Sequence, residues 1–214
     1  MDKIIHKSGL IKKELALLRP FIKEPWKEFT LSEIKKITKN KSHHYVFEAM
    51  KKFALLGLIK EEKKGNTNIY CLDYKNEETL SYLALVEFLI KEERVDIQYK
   101  NLRKITNKLK NQFYVLLICG SYAEKKQKPS SDLDLAFIIP DSESKKIYEI
   151  ALKEGELMIP EVHGFIFTQE EVYQMLTNKE FNYGKEFAKK HIIIQGAETY
   201  YRILFEAMKN GFKI

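Results

Sequence analysis

The sequence predicts an α+β chain of two domains, a small basic one of helices and a hairpin and a larger one with a mixed sheet flanked by helices. Three observations predict it. Residues 1–75 hold 17 Lys/Arg against 9 Asp/Glu, whereas the other 139 hold 20 against 21, so the net charge of +7 belongs to the first third. Apolar residues recur at helical spacing over much of the chain, punctuated by capping and glycine signals. A continuous apolar run, 114–119, and the segment 131–139, in which two carboxylates precede an apolar stretch, read as buried strands. One ends at Gly120-Ser121, and the other opens with Asp132 and Asp134.

The 214 residues suffice for two modest cores. No run of about 18 apolar residues occurs, and the amino terminus MDKIIHKSGLIKKELALL lacks a cleavable secretory pattern. A cytosolic chain without a membrane span is expected. Cys71 and Cys119 stand apart without a CxxC spacing, and the five histidines show no pairing at helical ligand spacing, so neither a disulfide framework nor a zinc motif is suggested and buried thiols are expected.

In the first third, Thr30-Leu31-Ser32-Glu33 is a capping box that opens a short helix through about Thr38, with Leu31, Ile34 and Ile37 at helical spacing. Ser42 is the N-cap of a second helix running to about Leu56 and ended by Gly57. Its stripe of Val46, Met50, Phe53 and Ala54 faces a core and leaves His43, His44, Tyr45, Lys51 and Lys52 outside. Residues 58–62 and 69–72 read as strands around the polar run Lys63-Lys64-Gly65-Asn66-Thr67-Asn68. The basic balance suits a polyanion partner or a solubilising lysine surface.

Helix, capped helix, longer helix and basic hairpin, over residues 8 to 74, resemble the winged helix-turn-helix domains of archaeal and bacterial regulators. The resemblance implies DNA binding through residues 1–75. Ser42, His43, His44, Tyr45 and Lys51 would enter the major groove, with Lys63, Lys64 and Asn66 on the backbone. The same fold also serves as a docking or dimerisation module, in which His43 or His44 would cover the core.

Residues 76–110 carry apolar groups at helical period and predict two helices that break near Val95. The first, 76–95, links the domains. No Pro-rich or Gly/Ser-rich linker intervenes, so a fixed orientation is expected.

The remaining segment, 96–214, carries the chemistry. Glycine at 120 lets a polyphosphate approach the backbone, and the Ser121 hydroxyl with the amides of a following short helix can donate to phosphate oxygens. Asp132 and Asp134 at i and i+2 share one strand face, about 7 Å apart, a spacing suited to Mg²⁺ ions bridging nucleotide phosphates. Buried unpaired carboxylates among Leu133, Leu135 and Phe137 are costly without a ligand, a cation or a solvent opening; the alternative is exposure at the strand end, with Asp132 merely capping the Ser130-Ser131 turn.

Gly120-Ser121, ten intervening residues, and Asp132-Leu133-Asp134 resemble the GSx10DxD motif of minimal nucleotidyltransferases of the DNA polymerase β type, over roughly residues 96 to 168. The resemblance implies a mixed sheet in which Asp132 and Asp134 bind Mg²⁺ or Mn²⁺ and Gly120, Ser121 and Ser131 meet a nucleoside triphosphate. Lys125, Lys126 and Lys128 in the connecting loop would meet phosphates or be solvated. The family supplies a third carboxylate from a neighbouring strand, here matched by residues 161–167. Glu161 stands at its start, and His163 takes the next position on the same face. Glu161 is the third catalytic candidate, since imidazole is a poor Mg²⁺ ligand.

Thr168-Gln169-Glu170-Glu171 is another capping box, and helices are expected through about Leu176, over 181–194 and over 197–208, completing the core or a homodimer contact. Members of the resembled family that share the motif most closely are antitoxins that adenylylate a tyrosine of a HEPN ribonuclease. That implies ATP as donor and a protein hydroxyl as acceptor. The contrasting expectation is a non-enzymatic DNA-binding transcription regulator with a decayed nucleotidyltransferase fold.

Overall fold

The computed structural model describes residues 11–213, so the first ten residues of the predicted amino-terminal domain and Ile214 lie outside the described residues. The chain divides into two compact units between Val86 and Glu87, inside one helix.

The first unit begins with α1 (Lys12–Leu15), a 3-10 turn and α2 (Arg19–Lys23), then β1 (Phe29–Thr30), α3 (Leu31–Ile37), α4 (His43–Leu55), β2 (Ile59–Lys64) and β3 (Thr67–Leu72). Local chemistry sets these boundaries as expected. The Thr30 hydroxyl accepts from Glu33 N–H at 3.2 Å while Glu33 accepts from Thr30 N–H at 2.8 Å, and Ser42 Oγ accepts from Tyr45 N–H at 3.2 Å. Val46, Ala49, Met50 and Phe53 of α4 pack into a core with Leu15, Phe21, Phe29 and Ile34, whereas Ile37 is 41% exposed.

The three-stranded sheet has order β1-β3-β2, antiparallel throughout. Its hairpin is longer than the sequence suggests. Lys63 pairs with Asn68 and Lys64 with Thr67, so the run read as a loop is strand except for the two-residue turn Gly65-Asn66. Polar side chains do not prevent pairing in a strand exposed on both faces.

Helix α5 (Glu77–Glu92) contains the division between the units. The second unit continues with α6 (Tyr99–Thr106), β4 (Val115–Ile118), α7 (Gly120–Ala123), β5 (Leu133–Ile139), α8 (Lys145–Leu152), β6 (Val162–Thr168), α9 (Gln169–Thr177), α10 (Tyr183–Lys189), β7 (Ile192–Gln195) and α11 (Ala197–Lys209). Its sheet has order β6-β5-β4-β7, with β5 and β6 parallel and the other pairs antiparallel. This is a mixed sheet flanked by helices. Leu133, Leu135, Phe137 and Val162 point to one face and pack with Leu102, Ile105, Tyr148 and Leu152 of α6 and α8. Strand alternation sends Asp134, His163, Phe165 and Phe167 to the other face, where Phe165 meets Tyr183 and Phe167 meets Phe187 of α10 at centroid distances of 5.0 and 5.8 Å.

The single helix expected over 181–194 is corrected here. Residues 183–189 are helical, but Ile192-Ile193-Ile194 form β7, which pairs with Leu117 and Ile118 of β4. Three consecutive β-branched residues favour the pleated backbone, and β4 needs a second neighbour to satisfy its free edge. Behind β7, Glu87 is buried. Tyr201 donates to it at 2.7 Å and His191 Nε2 lies 3.3 Å from the same oxygen, so this carboxylate is not left unpaired.

Candidate functional site

The site grows from two adjacent antiparallel strands. Strand β4 ends at Ile118, and Cys119 still donates its N–H to the Asp134 carbonyl at 2.9 Å. That bond brings the turn at residue 120 against Asp134. Gly120 turns with φ +61°, a left-handed conformation that favours glycine, and a Cβ built there would lie 2.1 Å from Asp134 Oδ2. The glycine is required twice, for backbone conformation and for room.

Asp134 lies within β5 and Asp132 one residue before it. The Asp134 carboxyl is pushed up from the ordinary carboxylate range, chiefly by burial. His163 opposes that shift, while Asp132 and Glu186 add to it. Glu186 on α10 is a carboxylate that sequence reasoning missed, because a single helix over 181–194 gave no reason to place it over this face.

Strand β6 contributes the remaining groups. Asp134 pairs in register with His163, and Leu133 donates its N–H to the Glu161 carbonyl at 2.8 Å. His163 stands between two carboxylates, with Nδ1 3.7 Å from Asp132 Oδ2 and Nε2 3.8 Å from Glu161 Oε1. Asp132, Glu161 and His163 each offer a ligand atom, all within 4.8 Å of one another, and they form a metal-capable group among the described residues. Asp134 is not in that group, since its carboxylate is turned to Gly120.

Behind the turn stands Arg94, also absent from the sequence reading. It is 3% exposed. Its guanidinium forks onto Asp96, with Nε to Oδ1 at 2.8 Å and Nη2 to Oδ2 at 2.6 Å, and donates to the Tyr122 and Ala123 carbonyls at 2.5 and 3.5 Å. Gln127 donates to Asp96 Oδ2 at 2.8 Å. The Arg94 fork holds the Asp96 carboxyl down to about 2. One ion pair thus grips both ends of residues 122–127, the segment that follows Gly120-Ser121.

The other expected loop residues have local work. Ser131 Oγ accepts from Lys128 N–H at 2.9 Å and closes the turn before Asp132. Lys126 and Lys190 pair with Glu124 at 3.2 and 2.9 Å, and Lys125 is exposed in a left-handed conformation. Ser121 is half-buried.

In the first unit, Ser42, His43 and His44 are exposed at the start of α4, and Lys63 and Asn66 are exposed on the hairpin. Lys51 lies 3.5 Å from Glu48, and Lys64 pairs with Glu28 at 2.5 Å. The Tyr45 hydroxyl is turned inward, buried without a hydrogen-bond partner among the described residues.

Residues 99–194 match the family model for the nucleotidyltransferase domain. No curated protein and no solved structure matches the chain. The matched span contains Gly120, Ser121, Asp132, Asp134, Glu161 and His163, and it starts after Arg94. Among the described residues no helix is long and apolar enough to cross a membrane.

Proposed function

We propose that the second unit transfers a nucleoside monophosphate from a nucleoside triphosphate, with ATP as the donor, to a hydroxyl acceptor. The observation that carries this reading is the packing of Gly120 directly against the Asp134 carboxylate, with Asp132 two residues away. The backbone turn and an acidic edge lie side by side there, an arrangement suited to a cation-bound triphosphate. The family match over 99–194 supports the same chemistry.

The two aspartates on the β5 side fit the metal that such chemistry uses. Asp132 and Asp134 would hold Mg²⁺ or Mn²⁺, with Glu161 at the rim, and the raised proton affinity of Asp134 marks a carboxylate in need of a countercharge. When bound, the ion supplies neutralisation of the phosphate charge and favours the ionised acceptor hydroxyl. The chain's own groups do the rest. Gly120 leaves space beside the backbone, Ser121 donates to a phosphate oxygen, and the Arg94–Asp96 pair keeps the turn in place. Glu161, 54% exposed at its side chain, takes the acceptor proton as the hydroxyl oxygen bonds to the α-phosphorus and pyrophosphate leaves.

The open rim at Glu161 favours a large acceptor, and a protein hydroxyl such as a tyrosine of a HEPN ribonuclease suits it. For the first unit the reading is a winged helix that binds DNA, with α4 in the major groove and the β2–β3 hairpin on the backbone. The exposure of Ser42, His43, His44 and Lys63 supports it. A regulator without enzymatic activity is the second reading, favoured by the imidazole at 163 in register with Asp134. Incubation with each labelled nucleoside triphosphate and Mg²⁺, alone and with lysate, tests the proposal. Label transferred to an acceptor with release of pyrophosphate supports the enzyme, and triphosphate bound without transfer supports the regulator.

A further inference from the structure

The donor set on the β6 side of the site is not the all-oxygen set that Mg²⁺ takes. Mg²⁺ demands oxygen ligands in near-octahedral geometry, whereas imidazole suits first-row transition ions. Here an imidazole is built into the strand register. Val162 and Leu133 are paired and each 4% exposed, turned into the core, so Glu161 and His163 are set on the same face as Asp132 and Asp134.

His163 stands 3.7 and 3.8 Å from its two carboxylates, beyond hydrogen-bond distance. Ligand atoms around an ion with bonds of about 2.1 Å stand about 3 Å apart when adjacent and about 4.2 Å when opposite. The group, all within 4.8 Å, is therefore close to the spread that a single ion requires, and its solvent-exposed side chains can rotate the remaining distance. His163 is 52% exposed at its side chain, so an ion can reach it directly from water.

We propose that Asp132, His163 and one oxygen of Glu161 form a cation subsite that selects first-row transition ions, Mn²⁺ and still more Co²⁺, over Mg²⁺, with the other Glu161 oxygen left to take the acceptor proton. This rests on reading the Gly120–Asp134 contact as the nucleotide site, and it makes the imidazole the group that chooses the cation. The affinity order follows the ligand chemistry. A nitrogen donor adds little for Mg²⁺, more for Mn²⁺ and most for Co²⁺.

The test is calorimetric titration of the full chain with Mg²⁺, Mn²⁺ and Co²⁺ separately, without nucleotide and then with a non-hydrolysable ATP analogue. Wild type is compared with His163→Ala and His163→Asp. Wild type is expected to bind Co²⁺ and Mn²⁺ more tightly than Mg²⁺, and His163→Asp to cut the Co²⁺ to Mg²⁺ preference by about tenfold while still binding metal. The visible absorption of bound Co²⁺ should change with the same substitution, and thermal melts show that each variant is folded. An equal preference in wild type and His163→Asp, with the analogue still bound, would overturn the subsite and leave the nucleotide reading intact. Loss of analogue binding with every ion, while the His163-dependent preference persists, would overturn the nucleotide reading and leave the subsite.

Discussion

Gly120 and Asp134 are packed so closely that a methyl group on Gly120 would sit 2.1 Å from Asp134 Oδ2. Gly120→Ala therefore has to strain a φ of +61° and displace the carboxylate at once. The expected cost is about 1 to 3 kcal/mol of stability, seen as a lower melting temperature. Triphosphate affinity should fall by about tenfold or more, because the displaced carboxylate no longer lies beside the turn. Calorimetry and melts on the same preparation measure both effects.

Asp134 also gives the protein a pH signature. Its carboxyl is raised in the folded state, above all by burial, so the folded state holds the proton more tightly than the unfolded chain does. Stability is then fully present below the unfolded value of about 3.9 and is lost as pH rises through the folded value. Asp134→Asn should melt above wild type at neutral pH, and the gap should close on acidification to about pH 4. A constant gap across this range would contradict the assignment.

The Arg94–Asp96 pair has the opposite sign. Asp96 is held down to about 2, so its contribution is present above the unfolded value of about 3.9 and disappears as pH falls towards about 2. Arg94→Met removes the donor of the Tyr122 and Ala123 carbonyls and leaves Asp96 with Gln127 as its side-chain donor. With Asp96 30% exposed, the cost should be about 2 kcal/mol, below that of a fully buried pair. If the pair also positions the turn, Arg94→Lys should recover stability more fully than turnover, since an ammonium cannot reproduce the fork.

For the first unit, salt is the discriminating variable. DNA affinity should fall steeply between low and moderate ionic strength, and Lys63→Glu should weaken it for every sequence tested. Lys64→Glu should do less, because Lys64 is held by Glu28. Salt-insensitive or absent binding would make this unit a docking module.

Much of this was legible in the sequence because it depends on local rules. Thr30, Ser42 and Thr168 cap helices by contacts within three residues, and the spacing of Gly120, Asp132 and Asp134 matches a turn just after β4, the residue before β5 and a position inside β5. What sequence did not show depends on distant contacts. Ile192–Gln195 becomes a strand because β4 needs a neighbour, and Arg94 reaches the turn across 28 positions of chain. Glu186 arrives on a separate helix, so no motif spacing announces it. His163 was visible on the right face, yet only the register with Asp134 and the distances to Asp132 and Glu161 show that it sits among the carboxylates.

The most direct test of the account is calorimetric titration of ATP into wild type and into the Asp132→Asn, Asp134→Asn double variant, each with Mg²⁺ and with Mn²⁺, alongside thermal melts. Removing about two negative charges while keeping the shape should abolish cation-dependent ATP binding and leave a folded chain whose melting temperature is unchanged or slightly higher. Wild type that binds no ATP with either ion, or a double variant that binds it equally well, would contradict the nucleotidyltransferase account.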